Sequence, residues 1–412
     1  MTASLTSASV SRVRVGRPLA TLLLVLTVFG PISMDLYLPA LPALTSELGA
    51  ATSLAQLTVT ACLIGLAAGQ LIAGPLSDRF GRRRPALIGV VAYVLVSALC
   101  AVSPTIDALV AARLVQGLAG GVGIVIAQAA GRDVYEGGHL IRFYGRLTVI
   151  GGFAAIVGPL LGGALTAVLD WRGLFVVLAA IGAIILLWVA VGFPETLDRD
   201  ARTAAGFAVI GRDIRLLLSD RRFVGAVIAQ GFVYAALFAY LSGATYVLQG
   251  VYGLSPQGYA LAFGLNSAGF MVFGYLAGRA SERWSVTGTL IVGLVVAGVG
   301  AAGVLLAGLT AVPLAVVILS LFLLAAGTAI TSPPSTTLAL ADYPQMAGTA
   351  SSLLGAARFA FGGVAAPIVG VAGSLSILPL GLVTTASIAL AAVAATIFLR
   401  RPRQASARRR GR

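Results

Sequence analysis

Twelve runs of mostly apolar residues, each close to the length that spans a bilayer, constrain this chain more than any other feature. Crossing a hydrocarbon core of about 30 Å takes about 20 helical residues, and in lipid only helices or closed barrels satisfy every backbone N–H and C=O. The runs cover 19–41, 54–76, 85–103, 105–129, 145–168, 173–193, 223–248, 258–279, 287–308, 313–338, 346–371 and 376–399. The first follows Arg12, Arg14 and Arg17 as a signal peptide would. It is too long for one and carries Asp35 and several prolines, so it reads as a span. Only 10% of the 412 residues are charged and 58% are hydrophobic, whereas a soluble domain carries about 25% charge. That excludes a soluble fold, and the hydrophobicity excludes disorder. The expectation is an all-α membrane protein with twelve transmembrane helices.

The scarce charge is lopsided. All 28 basic residues are Arg, and the absence of Lys removes both a P-loop GK[ST] motif and a pyridoxal Schiff base. An ATP-driven pump within this one chain is therefore excluded. A net charge of +14 usually points to nucleic acid, but here the Arg residues sit at helix ends, where the bilayer accounts for them. Twenty-five of them fall in the termini and the even-numbered loops. Only Arg172 lies in an odd-numbered loop, and Arg113 and Arg358 lie inside spans. The positive-inside rule then places both termini in the cytoplasm. Cys62 and Cys100 lie in apolar segments, and His139 is the single histidine, so neither a disulfide framework nor a metal site is expected.

Residues 194–222 form the longest hydrophilic stretch and divide the spans six and six. The expected organisation is a tail over 1–18, a six-helix half over 19–193, an interdomain loop over 194–222, a second half over 223–399 and an Arg-rich tail over 400–412. The halves carry a weak repeat. Gly74-Pro-Leu-Ser-Asp78-Arg79 after the second span matches Gly274-Tyr-Leu-Ala-Gly-Arg279 after the eighth. Arg132-Asp133-Val-Tyr135 after the fourth matches Ala341-Asp342-Tyr343 after the tenth. Parallel halves of this kind put a substrate site near the midplane where they meet.

Four motifs carry a resemblance. Gly74-Pro-Leu-Ser-Asp78-Arg79-Phe-Gly81-Arg82-Arg83-Arg84 resembles the GxLaDrxGrrr signature of the major facilitator superfamily. Its glycines permit a tight turn, and Asp78 can face a helix N-terminus or an Arg, an interaction expected to latch the inward face. Ala112-Arg113-Leu-Val-Gln116-Gly117 is similar to the superfamily's RxxQG motif, and Gly158-Pro159-Leu-Leu-Gly162-Gly163 to the GPxxGG motif of its antiporters. Without the resemblance, that Gly/Pro cluster reads as close helix packing with a bend. Met34-Asp35-Leu36-Tyr37-Leu-Pro39-Ala-Leu-Pro42, with Met346-Ala-Gly-Thr-Ala-Ser-Ser-Leu353 and Arg358-Phe359, resembles the Bcr/CflA drug-resistance transporters, the bicyclomycin and chloramphenicol exporter group. Leu36 departs from the Met common there, and the second-half loop motif is degenerate. The resemblance implies a monomeric proton-coupled drug antiporter of the bacterial inner membrane, driven by the proton gradient without a cofactor. Conformational gating then falls to Gly74, Asp78, Arg79, Gly81, Arg82, Arg132, Asp133, Gly158, Pro159, Gly162 and Gly163.

An ionisable residue inside a span is a functional candidate because leaving it unpaired there is costly. Asp35, Arg113 and Arg358 are the three, and counting residues places them within one stratum of about 6 Å, compatible with a shared cavity. Asp35 is the only carboxylate well inside the membrane and is the expected proton carrier; the alternative is a static Asp–Arg pair between spans one and four. Two Arg against one Asp leave such a cavity positive, which suits neutral or weakly acidic substrates over lipophilic cations. Tyr37, Gln116, Gln230, Tyr234 and Asn266 are further cavity candidates, and Gln230 and Tyr234 share a helix face. Each also reads as an ordinary helix–helix hydrogen bond. Two other classes stay open: transport of one endogenous metabolite, and a membrane enzyme or receptor, which no nucleophile or phosphate motif supports.

Overall fold

The computed structural model describes residues 17–135, 137–198, 206–340, 343, 347–370 and 376–398. The tails over 1–16 and 399–412, and Asp342, lie outside the described residues. Every regular element among them is helical: α1 (Arg17–Asp35), α2 (Leu41–Glu47), α3 (Thr52–Phe80), α4 (Arg83–Ala101), α5 (Ile106–Val134), α6 (Gly137–Leu165), α7 (Trp171–Gly192), α8 (Gly206–Ser219), α9 (Arg221–Tyr246), α10 (Pro256–Arg283), α11 (Val286–Leu309), α12 (Leu314–Leu340), α13 (Ala347–Gly370) and α14 (Leu378–Phe398). Eleven stretches among the described residues are long and apolar enough to cross a membrane, the first running through α1 and α2. The twelfth span is α6, 29 residues long and apolar over Ile156–Leu165.

The starts of five spans are set by polar residues at the edge of the apolar run. Thr105, Asp170, Asp220, Ser255 and Ser285 each accept a backbone N–H from the first turn of α5, α7, α9, α10 and α11, satisfying a donor that the helix itself leaves open. Outward-facing side chains are apolar, with Val191 90% and Ile88 70% exposed, as a lipid-facing surface requires.

Helices α1 and α3–α7 pack among themselves, as do α9–α14, giving two six-helix halves joined by α3 against α13 and α6 against α10. Lipid gives no hydrophobic reward for helix association, so close backbone approach must supply it. Between α3 and α5, a Cβ added at Gly65 would strike the Leu114 carbonyl, and one at Gly117 the Cys62 carbonyl. Gly300 and Gly327 do the same for α11 and α12.

Two features differ from the sequence expectation. The first span is not one helix to residue 41; it breaks after Asp35, because Pro39 and Pro42 lack the N–H groups a continuous helix needs. The stretch 194–222 is not simply a loop either. It carries α8, which sets Leu217 against Phe223 and Ala350 and rests on α9, α13 and α3.

Candidate functional site

Asp35 stands at the break in α1. Beyond it the chain enters a 3₁₀ turn over Leu38–Ala40, closed by the Ala40 N–H donating to the Tyr37 carbonyl at 2.9 Å, and continues into α2. The carboxyl is 6% exposed and makes no hydrogen bond or ion pair with any described residue. Just beyond it the Leu38 and Pro39 carbonyls accept from Thr245 and Gln249, so the break in α1 lies against the second half. The GPxxGG segment of α6 seats it. A Cβ at Gly158 would lie 2.8 Å from the Asp35 Cβ, and one at Gly162 would strike the Leu36 carbonyl. Gly163 instead faces α10, where Gln257 donates to its carbonyl at 3.1 Å. Pro159 lies within α6 beside these contacts.

Arg113 is fully buried inside the first half. Its Nη1 donates to the Ser33 carbonyl at 3.1 Å and to Gln116 Oε1 at 2.5 Å, and its guanidinium lies 4.4 Å from the Tyr37 ring centre. Gln116 donates on to Ser97, and the Tyr37 hydroxyl pairs with Thr58 at 2.9 Å. The static Asp35–Arg113 ion pair is absent. Tyr37, Arg113 and Gln116 thus form one buried network behind Asp35.

The second half builds a separate cluster. Arg358 on α13 donates from Nη2 to Thr336 Oγ1 at 3.0 Å and lies 4.8 Å from the Tyr234 ring centre. With the Gln230 amide turned so that both groups are satisfied, its Oε1 accepts from Arg358 Nη2 at 2.7 Å and Nε at 3.2 Å. Asn266 donates to the Tyr240 hydroxyl at 2.9 Å, and Asn266 Oδ1 and the Tyr259 hydroxyl are buried without a partner among the described residues. Measured along their helices from the Arg-rich ends, Asp35 is about 27 Å in, Arg113 about 32 Å and Arg358 about 17 Å. The three charges do not form one bonded group.

At the Arg-rich end Gly81 (φ +87°) turns the chain between α3 and α4, a conformation that suits glycine. Beside it Arg82 pairs with Asp78 at 2.5 Å and Asp133 at 2.9 Å, donates to Ser77, and offers its backbone N–H to Glu195 at 2.7 Å. Burial works against the Arg82 charge, but the bonds to Asp133 and Asp78 outweigh it and hold its pKa above the ordinary value. Arg79 stacks on Phe80 instead, and Arg132 is exposed in the last turn of α5. A Cβ at Gly74 would meet open space. This cluster ties α3, α5 and the segment after α7 together around Arg82. Towards the opposite end, bonds between described residues join the halves: Thr45 to Tyr246 at 2.8 Å, Thr245 to the Leu38 carbonyl at 3.0 Å, Gln249 to the Pro39 carbonyl at 3.1 Å and Thr60 to the Gly363 carbonyl at 2.8 Å.

A profile described as the Major Facilitator Superfamily matches residues 23–367. The chain belongs to the major facilitator superfamily. It is 36% identical over 359 residues to an uncharacterised MFS-type transporter, YdgK, of Bacillus subtilis, covering 86% of this chain and 88% of that one. It is 27% identical to a bicyclomycin resistance protein homologue of Haemophilus influenzae, covering 84% and 87%. The solved D-xylose–proton symporter shares the fold at a TM-score of 0.72 and 17% identity, covering 91% of this chain and 96% of that one. The chain is accordingly a multi-pass membrane transporter. Four residues of its interior escaped sequence reading: Tyr240, Tyr259, Ser332 and Thr336. Tyr259, Phe263 and Asn266 fall at helical spacing on one face of α10, which was a readable signal. An open apolar groove of about 400 Å³ lies elsewhere, on the outer face of α3, α4 and α5, lined by Ile72, Leu76, Ile88 and Val115 with Arg84 among its walls.

Proposed function

We propose that this transporter is a drug:proton antiporter that exports small hydrophobic or amphipathic compounds, neutral or weakly acidic, across the bacterial cytoplasmic membrane. Chloramphenicol- and bicyclomycin-like molecules are the class it fits. The observation that carries the reading is Asp35, a buried carboxyl with no cation paired to it among the described residues, at the break of α1 where the first half meets the second. A carboxylate in such a place is costly to keep charged and cheap to neutralise, so it takes a proton readily when its surroundings dry out. The relatives support the substrate class: they include proteins named for bicyclomycin resistance, chloramphenicol resistance and multidrug transport.

The positive-inside rule makes the Arg-rich end cytoplasmic, so the inter-half bonds of Thr45, Thr245 and Gln249 close the external end. Asp35 takes up a proton when that end opens and releases it when the cytoplasmic end opens. The proton gradient is the energy source. With Arg113 enclosed behind Asp35, Arg358 is the basic residue left for the substrate path, and the positive balance expected from two arginines shrinks to one. The test is accumulation of labelled chloramphenicol in inverted vesicles with an acidic interior. Wild type should accumulate it and Asp35→Asn should not; undiminished gradient-driven accumulation in the variant overturns the reading.

A further inference from the structure

The second half holds a basic side chain that its own fold leaves half satisfied. Among the described residues the three ion pairs involve Arg82 and Arg172, so Arg358 has no carboxylate partner although it lies inside a span. Its neighbours are neutral acceptors and a ring: Gln230 Oε1, Thr336 Oγ1 and the face of Tyr234. They fix the plane of the guanidinium through Nε and Nη2. Nη1 is not engaged by any described residue, and the side chain is half-buried rather than sealed as Arg113 is. A guanidinium held along one edge presents its remaining N–H donors in a fixed direction, the geometry that recognises a planar oxyanion.

The surroundings say what such an anion would be attached to. Tyr234, Phe238 and Phe359 form a run of rings with centres 6.3 Å and 5.8 Å apart, and the Tyr234 hydroxyl pairs with Ser332 at 3.3 Å. An aromatic wall beside a fixed cation fits a flat apolar body carrying one acidic group.

We infer that Arg358, oriented by Gln230, Thr336 and Tyr234, is an oxyanion subsite that selects aromatic substrates bearing a carboxylate or a similar acidic oxygen group. The inference rests on the export reading for its biological use and narrows that reading's substrate class. The unpaired charge then has its counter-ion in the cargo: the acid is held by charge-assisted bonds that an ester of the same shape cannot match.

The experiment is isothermal titration of the purified full-length protein in nanodiscs with nalidixic acid and with its ethyl ester, without any gradient. Wild type should bind the acid about ten-fold or more tightly than the ester. Arg358→Gln should lose that preference with ester affinity unchanged, and Arg358→Lys should keep a reduced part of it. Thr336→Val removes only an orienting bond and should shrink the preference several-fold, so the idea stays testable if Arg358→Gln does not fold. Equal binding of acid and ester by wild type, or a full preference in Arg358→Gln, overturns the subsite. Preference without proton-driven transport leaves the subsite standing and removes the export reading, so the two failures are separable.

Discussion

Gly162→Ala is the most searching single change to the seat of Asp35. In the native structure α6 approaches the broken end of α1 so closely that the added methyl would land on the Leu36 carbonyl oxygen. Its neighbour one turn away is nearly as tight, since a Cβ at Gly158 would sit 2.8 Å from the Asp35 Cβ, whereas comfortable carbon–carbon contact is about 3.5–4.0 Å. A backbone carbonyl cannot swing aside as a side-chain tip can, so α6 must move from α1 by about an ångström or the 3₁₀ turn must deform. Overpacking of this kind costs about 1–3 kcal/mol. The displacement also falls on the residue that sets the position of the carboxyl. Purified Gly162→Ala should therefore melt a few degrees below wild type and lose most proton-driven drug transport. Gly278→Ala is the control: its Cβ meets open space, and an alanine in a helix is no worse than glycine. A Gly162→Ala protein with wild-type melting and wild-type transport would refute the claim that α6 seats Asp35 by backbone contact.

Breaking the Arg82 cluster should destabilise the protein, because Arg82→Gln leaves Asp133 and Asp78 without their cation; the cluster is only partly buried, so the loss is about 1–3 kcal/mol, and thermal melting in detergent should drop accordingly. Asp220, which caps α9 and accepts from the Tyr343 hydroxyl, is held below the ordinary carboxylate range mainly by that bond. A depressed folded pKa stabilises above the unfolded value of about 3.9 and is lost as pH falls through the folded one, so Asp220→Asn should melt lower than wild type at neutral pH, and the two curves of melting temperature against pH should converge as the solution is acidified.

The twelve spans were legible because the bilayer fixes their length and forces the backbone to satisfy itself, leaving composition little to decide. The break in α1 was written as Pro39 and Pro42, but an apolar run that continues past both prolines hides it. Helix α8 was hidden differently: 14 residues with an apolar stripe are too short for a span, and the surrounding Arg residues made 194–222 read as loop. For the site, counting residues gives height in the membrane and nothing about direction around the helix axis. The shared stratum of Arg113 and Arg358 fails in height too, because the helices begin and end beyond the apolar runs and place the two about 15 Å apart along them; the structure also turns one inward among Ser33, Gln116 and Tyr37 and the other towards Gln230 and Tyr234. The glycines of the GPxxGG segment were visible as a motif, yet which carbonyl each one admits is settled only by packing.

Antiport through Asp35 makes one direct demand on the purified protein, with no vesicle or gradient involved. A drug that binds the protonated form and displaces its proton must acidify a weakly buffered solution as it binds. Chloramphenicol added to wild type should release protons in proportion to occupancy, and added to Asp35→Asn it should bind and release none. Equal proton release from the variant, or saturating binding to wild type without any release, would contradict the account.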